Sequence, residues 1–412
     1  MTGKAQTTTD EVQKIVGMKA NPLGEDFRKF VEEALEEWHV PAVSVAIVDG
    51  DETWAEGYGY ATLPSTRATP STLYYTGSTT KAFTAAILSL MIEGPADPSC
   101  STCDAGKYSS PLSAQGWQTP ISQLIGEDFV LRDEAYQWAQ SHLTLEDALT
   151  HRTGFPRHDK ALSLHYGDDD KHPITPRDIA RSLRHLPMTA EPRAAFRYCN
   201  YMYLVASHVV ETLTAGRWLG DTLRAWITGP LGMRSTYFSL QDAQDGPEHL
   251  AAGYSWDHGN RAGRGSGFET VPFMDLSGGT GAGGIVSNVL DYARWLRCLL
   301  REAGPMSKAG HAALKSPRMV MPPDSGKGFD GPSSYALGWF HNTYKGHRVL
   351  SHGGGMEAYG AEVFFFPDLD YAVVTMANTA MTSNAVGQLI AWKLIGDRLG
   401  VPEEERFDWK AQ

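Results

Sequence analysis

The chain has 412 residues, 42% hydrophobic and 20% charged, an ordinary globular balance that suits two or three domains or one large body with an insertion. A formal net charge of −12 argues against nucleic acid or an anionic membrane as a partner. No apolar run reaches the roughly 20 residues of a membrane span, and four cysteines are too few for a disulfide scaffold.

The polar start, MTGKAQTTTDEVQKIVGMKANP, lacks the apolar middle and small-residue cleavage site of a secretion signal. With no Asn-x-Ser/Thr acceptor anywhere, the expected location is cytoplasmic, with residues 1–19 an N-terminal extension. Residues 25–39 place Phe27, Phe30, Val31, Ala34, Leu35 and Trp38 on one stripe, which predicts an amphipathic helix. AVSVAIVDG and ETWAEGYGYA read as two strands joined at Asp49-Gly50.

Residues 78–92 are apolar on nearly every face, the mark of a helix buried all round. Residues 95–120 read as loop, and helical patterns return at 143–150, 176–186, 201–214 and 219–228. A Gly-rich polar stretch at 241–284 precedes a helix at 289–302. SYALGWFHNTY, RVLSHGGG, AYGAEVFFFPD and YAVVTMANT then read as short strands, before a last helix at 383–399.

Strands at both ends around a helical middle predict an α+β fold. Residues 20–75 and 285–412 would form an antiparallel sheet flanked by helices, and 76–284 a mainly helical insert.

Three stretches carry chemistry. In GSTTKAFTAAILSLMIEG, Ser78 and Lys81 stand three apart on one helix face, near a first turn whose free N–H groups favour negative charge. A serine is a weak nucleophile until a base takes its proton, and a lysine in a dry pocket can become that base. Alone, the pair reads equally as a capping serine and a snorkelling lysine. In FRYCNYMYLVASHVVE, Tyr198 beside an ammonium can be drawn toward phenolate, and the Asn200 amide can donate to a substrate carbonyl. The plain alternative is a buried tyrosine and a loop asparagine. In RVLSHGGGMEAYG, a strand reaches His352 and then Gly353, Gly354 and Gly355, where backbone can approach closely and offer N–H groups to an oxyanion; the plain alternative is a turn with a surface histidine.

Other features read as decoys. Gly279 to Gly284 contains G-x-G-x-x-G but follows a poor strand, so no nucleotide is expected. His151, His158, His165 and His172 show no zinc spacing, so no metal or cofactor is expected, and His151 reads as a structural loop residue. Cys100-Ser-Thr-Cys103 lies in a Pro/Ser-rich loop and reads as two loop thiols or a local disulfide.

Taken in order, Ser-x-x-Lys, Tyr-x-Asn and the His-Gly-Gly triplet resemble the serine β-lactamase and penicillin-binding superfamily. The nearest branch is the class C β-lactamases with their esterase, D-aminopeptidase and acyltransferase relatives. LTLEDALTHRTGFP, PLGMRSTYF, GAGGIVSNVLDYARWL and YALGWF resemble further segments of that family, over residues 25–400.

The resemblance implies that Ser78 is the acylated nucleophile, that Lys81 and Tyr198 share the proton work and that Asn200 orients substrate. It also implies that His352 to Gly355 line the substrate, and that the N–H groups of Ser78 and Gly355 form the oxyanion hole. His-Gly-Gly in place of the lactamase Lys-Thr-Gly removes a carboxylate anchor, so an uncharged ester or amide is expected. The leading expectation is therefore a carboxylic-ester hydrolase of small molecules. The alternatives are transfer to an alcohol or amine of a natural product, D-residue amidase or β-lactamase action, and a non-catalytic scaffold.

Overall fold

The structure is a computed structural model that describes residues 19–94, 111–162, 174–259, 266–322 and 328–407. Cys100, Cys103, His165 and His172 lie outside the described residues, as do 1–18 of the expected N-terminal extension.

Helix α1 (Glu25–Glu37) leads into strands β1 (Ala42–Asp49), β2 (Glu52–Thr62), β3 (Thr66–Arg67) and β4 (Tyr74–Tyr75), then helix α2 (Lys81–Glu93). After several short helical segments come α3 (Asn200–Leu213), hairpin β5 (Gly253–Asp257) and β6 (Gly267–Val271), β7 (Val286–Ser287) and α4 (Val289–Arg301). The chain closes with β8 (Met319–Val320), β9 (Ser334–Tyr335), β10 (Phe340–Tyr344), β11 (His347–Met356), β12 (Tyr359–Phe366), β13 (Tyr371–Ala377) and α5 (Ser383–Leu399).

The main sheet has nine strands in the order β3-β2-β1-β13-β12-β11-β10-β9-β8, every neighbour antiparallel. The front and back of the chain meet where β1 pairs β13, Val43 opposite Ala377 through Asp49 opposite Tyr371. Both faces of β1 are buried, so side chains alternate between two cores. Val43, Val45 and Ile47 pack with α1 and α5, while Ala42, Ala46 and Val48 join the larger core under α4 and the helical body.

Helix α4 starts where the Asn288 side chain accepts from the Asp291 N–H at 2.9 Å. Its apolar stripe of Tyr292, Trp295, Leu296 and Leu299 is buried. Trp295 stacks on Phe83 of α2 at 4.5 Å, joining sheet cover to nucleophile helix. Truncating so large a buried side chain costs about 3–5 kcal/mol.

Three expectations shift locally. Asp49 pairs Glu52, so the first hairpin turns at Gly50-Asp51, with Gly50 at φ +65°. The stretch read as loop contains helical turns at Leu112–Gln115 and Gly116–Gln118. The Gly-rich 241–284 stretch holds β5 and β6, whose Trp256 and Phe268 pack edge to face at 4.8 Å. These elements are too short for a period to register in sequence. Among the described residues no helix is long and apolar enough to cross a membrane.

Candidate active site

Strand β4 pairs β7, and the Thr76 N–H donates to Ile285 O at 2.9 Å, so the chain arrives at Gly77 from a fixed direction. Gly77–Thr80 form one 3₁₀ turn before α2. From Thr72 to Met91 only Ser78 is not buried, which leaves one hydroxyl facing out of an otherwise closed segment.

Gly77 has φ +51°, and a Cβ there would fall 2.7 Å from Gly355 N. A Cβ on Gly354 would fall 1.9 Å from Thr76 O and 3.1 Å from Ser78 N. The triplet glycines therefore let strand backbone lie directly against the Ser78 turn. Strand β10 pairs β11 only as far as Ser351, so beyond it β11 keeps β12 on one edge and meets the turn on the other. Gly355 N thus lies beside the turn that carries Ser78.

Lys81 is fully buried, and its Nζ lies 2.9 Å from Ser78 Oγ, 2.8 Å from Asn200 Oδ1 and 2.7 Å from Ala282 O. Burial, then the Arg157 charge, hold this amine well below the ordinary lysine value. A neutral amine has two hydrogens and one lone pair. In the neutral form, giving those hydrogens to the two carbonyl oxygens leaves the lone pair for the Ser78 hydroxyl. That is the arrangement of a base about to accept a serine proton.

Tyr198 comes from 120 residues further along the chain, yet Lys81 Nζ lies 5.0 Å from its ring centroid and its phenol stands close enough to Ser78 to be influenced by it. Here the phenolate expectation is corrected. Burial raises the phenol far above its usual value and outweighs the lowering by Ser78 and Arg157, so Tyr198 stays protonated. It can donate to or relay a proton, while Lys81 is the candidate base.

Asn200 also has partners of its own within the protein. Its Oδ1 holds Lys81, and its Nδ2 donates to Asp159 Oδ1 at 2.9 Å. Asp159 Oδ2 in turn accepts from Arg157 Nε at 2.7 Å. The amide thus orients the amine, leaving one N–H for a ligand.

The expectation that His352 and Gly353 line the substrate gives way. His352 is buried; Tyr335 donates its hydroxyl to His352 Nε2 at 2.9 Å, and Nδ1–H donates to Gly353 O at 2.7 Å. Burial above all pushes His352 down to about 3, so it is neutral with both nitrogens engaged. Gly353 belongs to the opposite face of the sheet, where it lines a cavity of about 140 Å³ with Ser351, Glu362, Phe364 and Trp392.

Sequence reasoning left out Ala282, Arg157, Asp159 and Tyr335. Ala282 sits in the run set aside as a nucleotide decoy. Those glycines serve packing: a Cβ on Gly281 would fall 1.8 Å from Ser207 Oγ of α3. A glycine run facing two helices was the available signal. The other three act through side chains that no local motif announces.

A family model described as Beta-lactamase matches residues 27–394. The chain is 44% identical over 390 residues to "Unguisins hydrolase ungD'" of Aspergillus campestris, covering 94% of this chain and 68% of that protein. It is 40% identical over 406 residues to "Unguisins hydrolase ungD" of Aspergillus violaceofuscus, covering 95% and 67%. Among solved structures it resembles an octameric penicillin-binding protein homologue from Pyrococcus abyssi, with TM-score 0.74, 24% identity, and 93% and 78% of the chains covered. It also resembles the D-amino acid amidase of Ochrobactrum anthropi SV3, with TM-score 0.69, 20% identity, and 92% and 100% covered.

Proposed function

The chain belongs to the beta-lactamase family, and from that premise we propose that it is a serine hydrolase that opens an amide bond of an unguisin, or a close relative of one, through an acyl-enzyme on Ser78. The single observation carrying this reading is the buried Lys81 amine, whose Nζ lies 2.9 Å from Ser78 Oγ, 2.8 Å from Asn200 Oδ1 and 2.7 Å from Ala282 O.

In the proposed cycle, Ser78 Oγ attacks the acyl carbon as its proton passes to Lys81 Nζ. The carbonyl oxygen becomes an oxyanion facing the N–H groups of Ser78 and Gly355. The C–N bond breaks as the leaving nitrogen takes a proton, relayed by Tyr198 from Lys81. Water then attacks the acyl-enzyme, giving up its proton to Lys81. The acid leaves, and Ser78 regains its hydrogen.

The substrate assignment follows the two relatives named unguisins hydrolases, and the amide assignment follows the structural neighbour named an amidase. A carboxylic ester would use the same steps with an easier leaving group. The neutral, internally bonded His352 favours an uncharged acyl compound of either kind.

Incubation of the protein and its Ser78→Ala variant with an unguisin and with nitrophenyl esters tests the reading. Mass spectrometry should detect products whose masses together equal the substrate plus one water, and an acyl adduct confined to the wild-type protein. Equal turnover by the alanine variant would remove Ser78 from the mechanism.

A further inference from the structure

His151 looks in sequence like a loop residue, and the structure closes it in completely. It follows the short helix Leu145–Leu149 in a loop held by a buried carboxylate. Asp147 Oδ1 accepts from Arg152 Nε at 2.6 Å, and Asp147 Oδ2 accepts from Arg193 Nη2 at 2.8 Å. These arginines tie residues 147–154 to the segment that delivers Tyr198. The Arg193 N–H donates to Arg152 O at 2.7 Å, and the Thr189 N–H to Gly154 O at 2.9 Å.

Two further bonds in this zipper fall on either side of Tyr198. The Arg197 N–H donates to His151 O at 2.7 Å, and the Cys199 N–H donates to His151 Nδ1 at 3.0 Å. Between them, the His151 ring lies against the Tyr198 ring with centroids 4.2 Å apart and planes at 31°. His151 adopts φ +57°, a conformation that side chains rarely take, and this turns both acceptors toward the same segment.

The residue type is informative because it is costly. An acceptor at Nδ1 puts the hydrogen on Nε2, and among the described residues Nε2 is buried with no hydrogen-bond partner. Around it stand Tyr203, Tyr335 and Phe196, with ring centroids 5.4, 4.9 and 5.6 Å from its own. An apolar side chain would fill this space without burying an unmet N–H group. An imidazole is explained by what its Nδ1 does for Cys199.

We infer that His151 is a positioning residue for Tyr198. Its carbonyl and Nδ1 clamp the backbone on both sides of the tyrosine, and its ring sets the tilt of the phenol that meets Ser78. His151 has no contact with Ser78 or Lys81 among its described hydrogen bonds and ring contacts, so it acts through Tyr198. The inference rests on the acyl-enzyme reading for its effect on rate and stands on geometry for its effect on Tyr198.

The test compares His151→Asn with His151→Leu in the full chain. Asparagine tolerates positive φ and offers Oδ1 where Nδ1 stands, whereas leucine removes the acceptor. For His151→Leu, kcat on the hydrolysed substrate should fall about 10- to 100-fold with KM within about threefold, the size expected when a proton relay is misplaced. His151→Asn should recover most of that loss. In a Tyr198→Phe background His151→Leu should cost little more, because the group it positions has lost its hydroxyl.

Crystal structures of both variants give a readout without turnover: the Tyr198 hydroxyl should leave Ser78 in the leucine variant and remain in the asparagine variant. Equal losses in the two folded variants, full additivity with Tyr198→Phe, or an unmoved phenol in His151→Leu would each overturn the inference. If the phenol moves as expected while Ser78→Ala retains activity, the clamp stands and the acyl-enzyme reading falls.

Discussion

Replacing Lys81 with methionine separates the two proton-carrying candidates. Met matches the lysine stem in length and apolar character, so the buried space stays filled. The change removes the Nζ donor to Ala282 O and one partner of Asn200 Oδ1. Asn200 is half-buried and can turn to water, so the main structural cost is one buried carbonyl, about 1–3 kcal/mol, partly offset because no amine is desolvated. The variant should therefore fold.

Its kcat/KM should drop by about 10²- to 10⁴-fold, the usual contribution of a positioned base, or about 3–5.5 kcal/mol of barrier. The pH profile is more telling than the magnitude. A base works deprotonated, so wild-type kcat/KM should rise through the folded ionisation of Lys81, below the ordinary lysine value, and then level off. Initial rates across that range, with folding checked by circular dichroism at each pH, give the assay. Tyr198→Phe removes a phenol that is already protonated, so its residual activity should keep the same rising limb. A limb that survives in Lys81→Met and vanishes in Tyr198→Phe would refute the assignment of the base.

Arg157 is the second cause, after burial, of the lowered Lys81 value, so Arg157→Met should move the rising limb to higher pH and Asp159→Asn should move it lower; pH–rate profiles read both shifts. Gly77→Ala forces a side chain into φ +51° and against Gly355 N, which should cost about 1–2 kcal/mol in backbone strain alone and about 10²–10³ in kcat through the displaced oxyanion donors, read by urea unfolding and initial rates. Burial pushes the Asp128 carboxyl up, but hydrogen bonds from His208, Arg181 and Arg177 outweigh it and hold the group down at about 2. A depressed carboxylate stabilises above its unfolded value near 4 and loses that contribution as pH falls toward 2. Asp128→Asn should therefore lower the urea midpoint at pH 7 and leave it close to wild type near pH 2.

The long elements were legible because their periods were sustained. Helix α5 occupies the predicted 383–399, α4 lies within a residue of its predicted ends, and the apolar run after Lys81 is buried on every face. The hairpin β5–β6 and the turns after residue 111 were not, because short elements are chosen by what they pack against.

Within the site, Ser78 and Lys81 were legible as a pair, since three residues on a helical turn bring two side chains together without help from the rest of the chain. Residue types and order along the chain also identified Tyr198 and the triplet glycines as candidates. Their protonation and facing belonged to the tertiary structure. Burial raises the Tyr198 phenol and lowers the Lys81 amine, and close backbone packing sets Gly354 against the Ser78 turn. A sequence names which groups can ionise, but a group's charge depends on the water removed around it and on partners such as Ala282 and Arg157, which folding alone brings near.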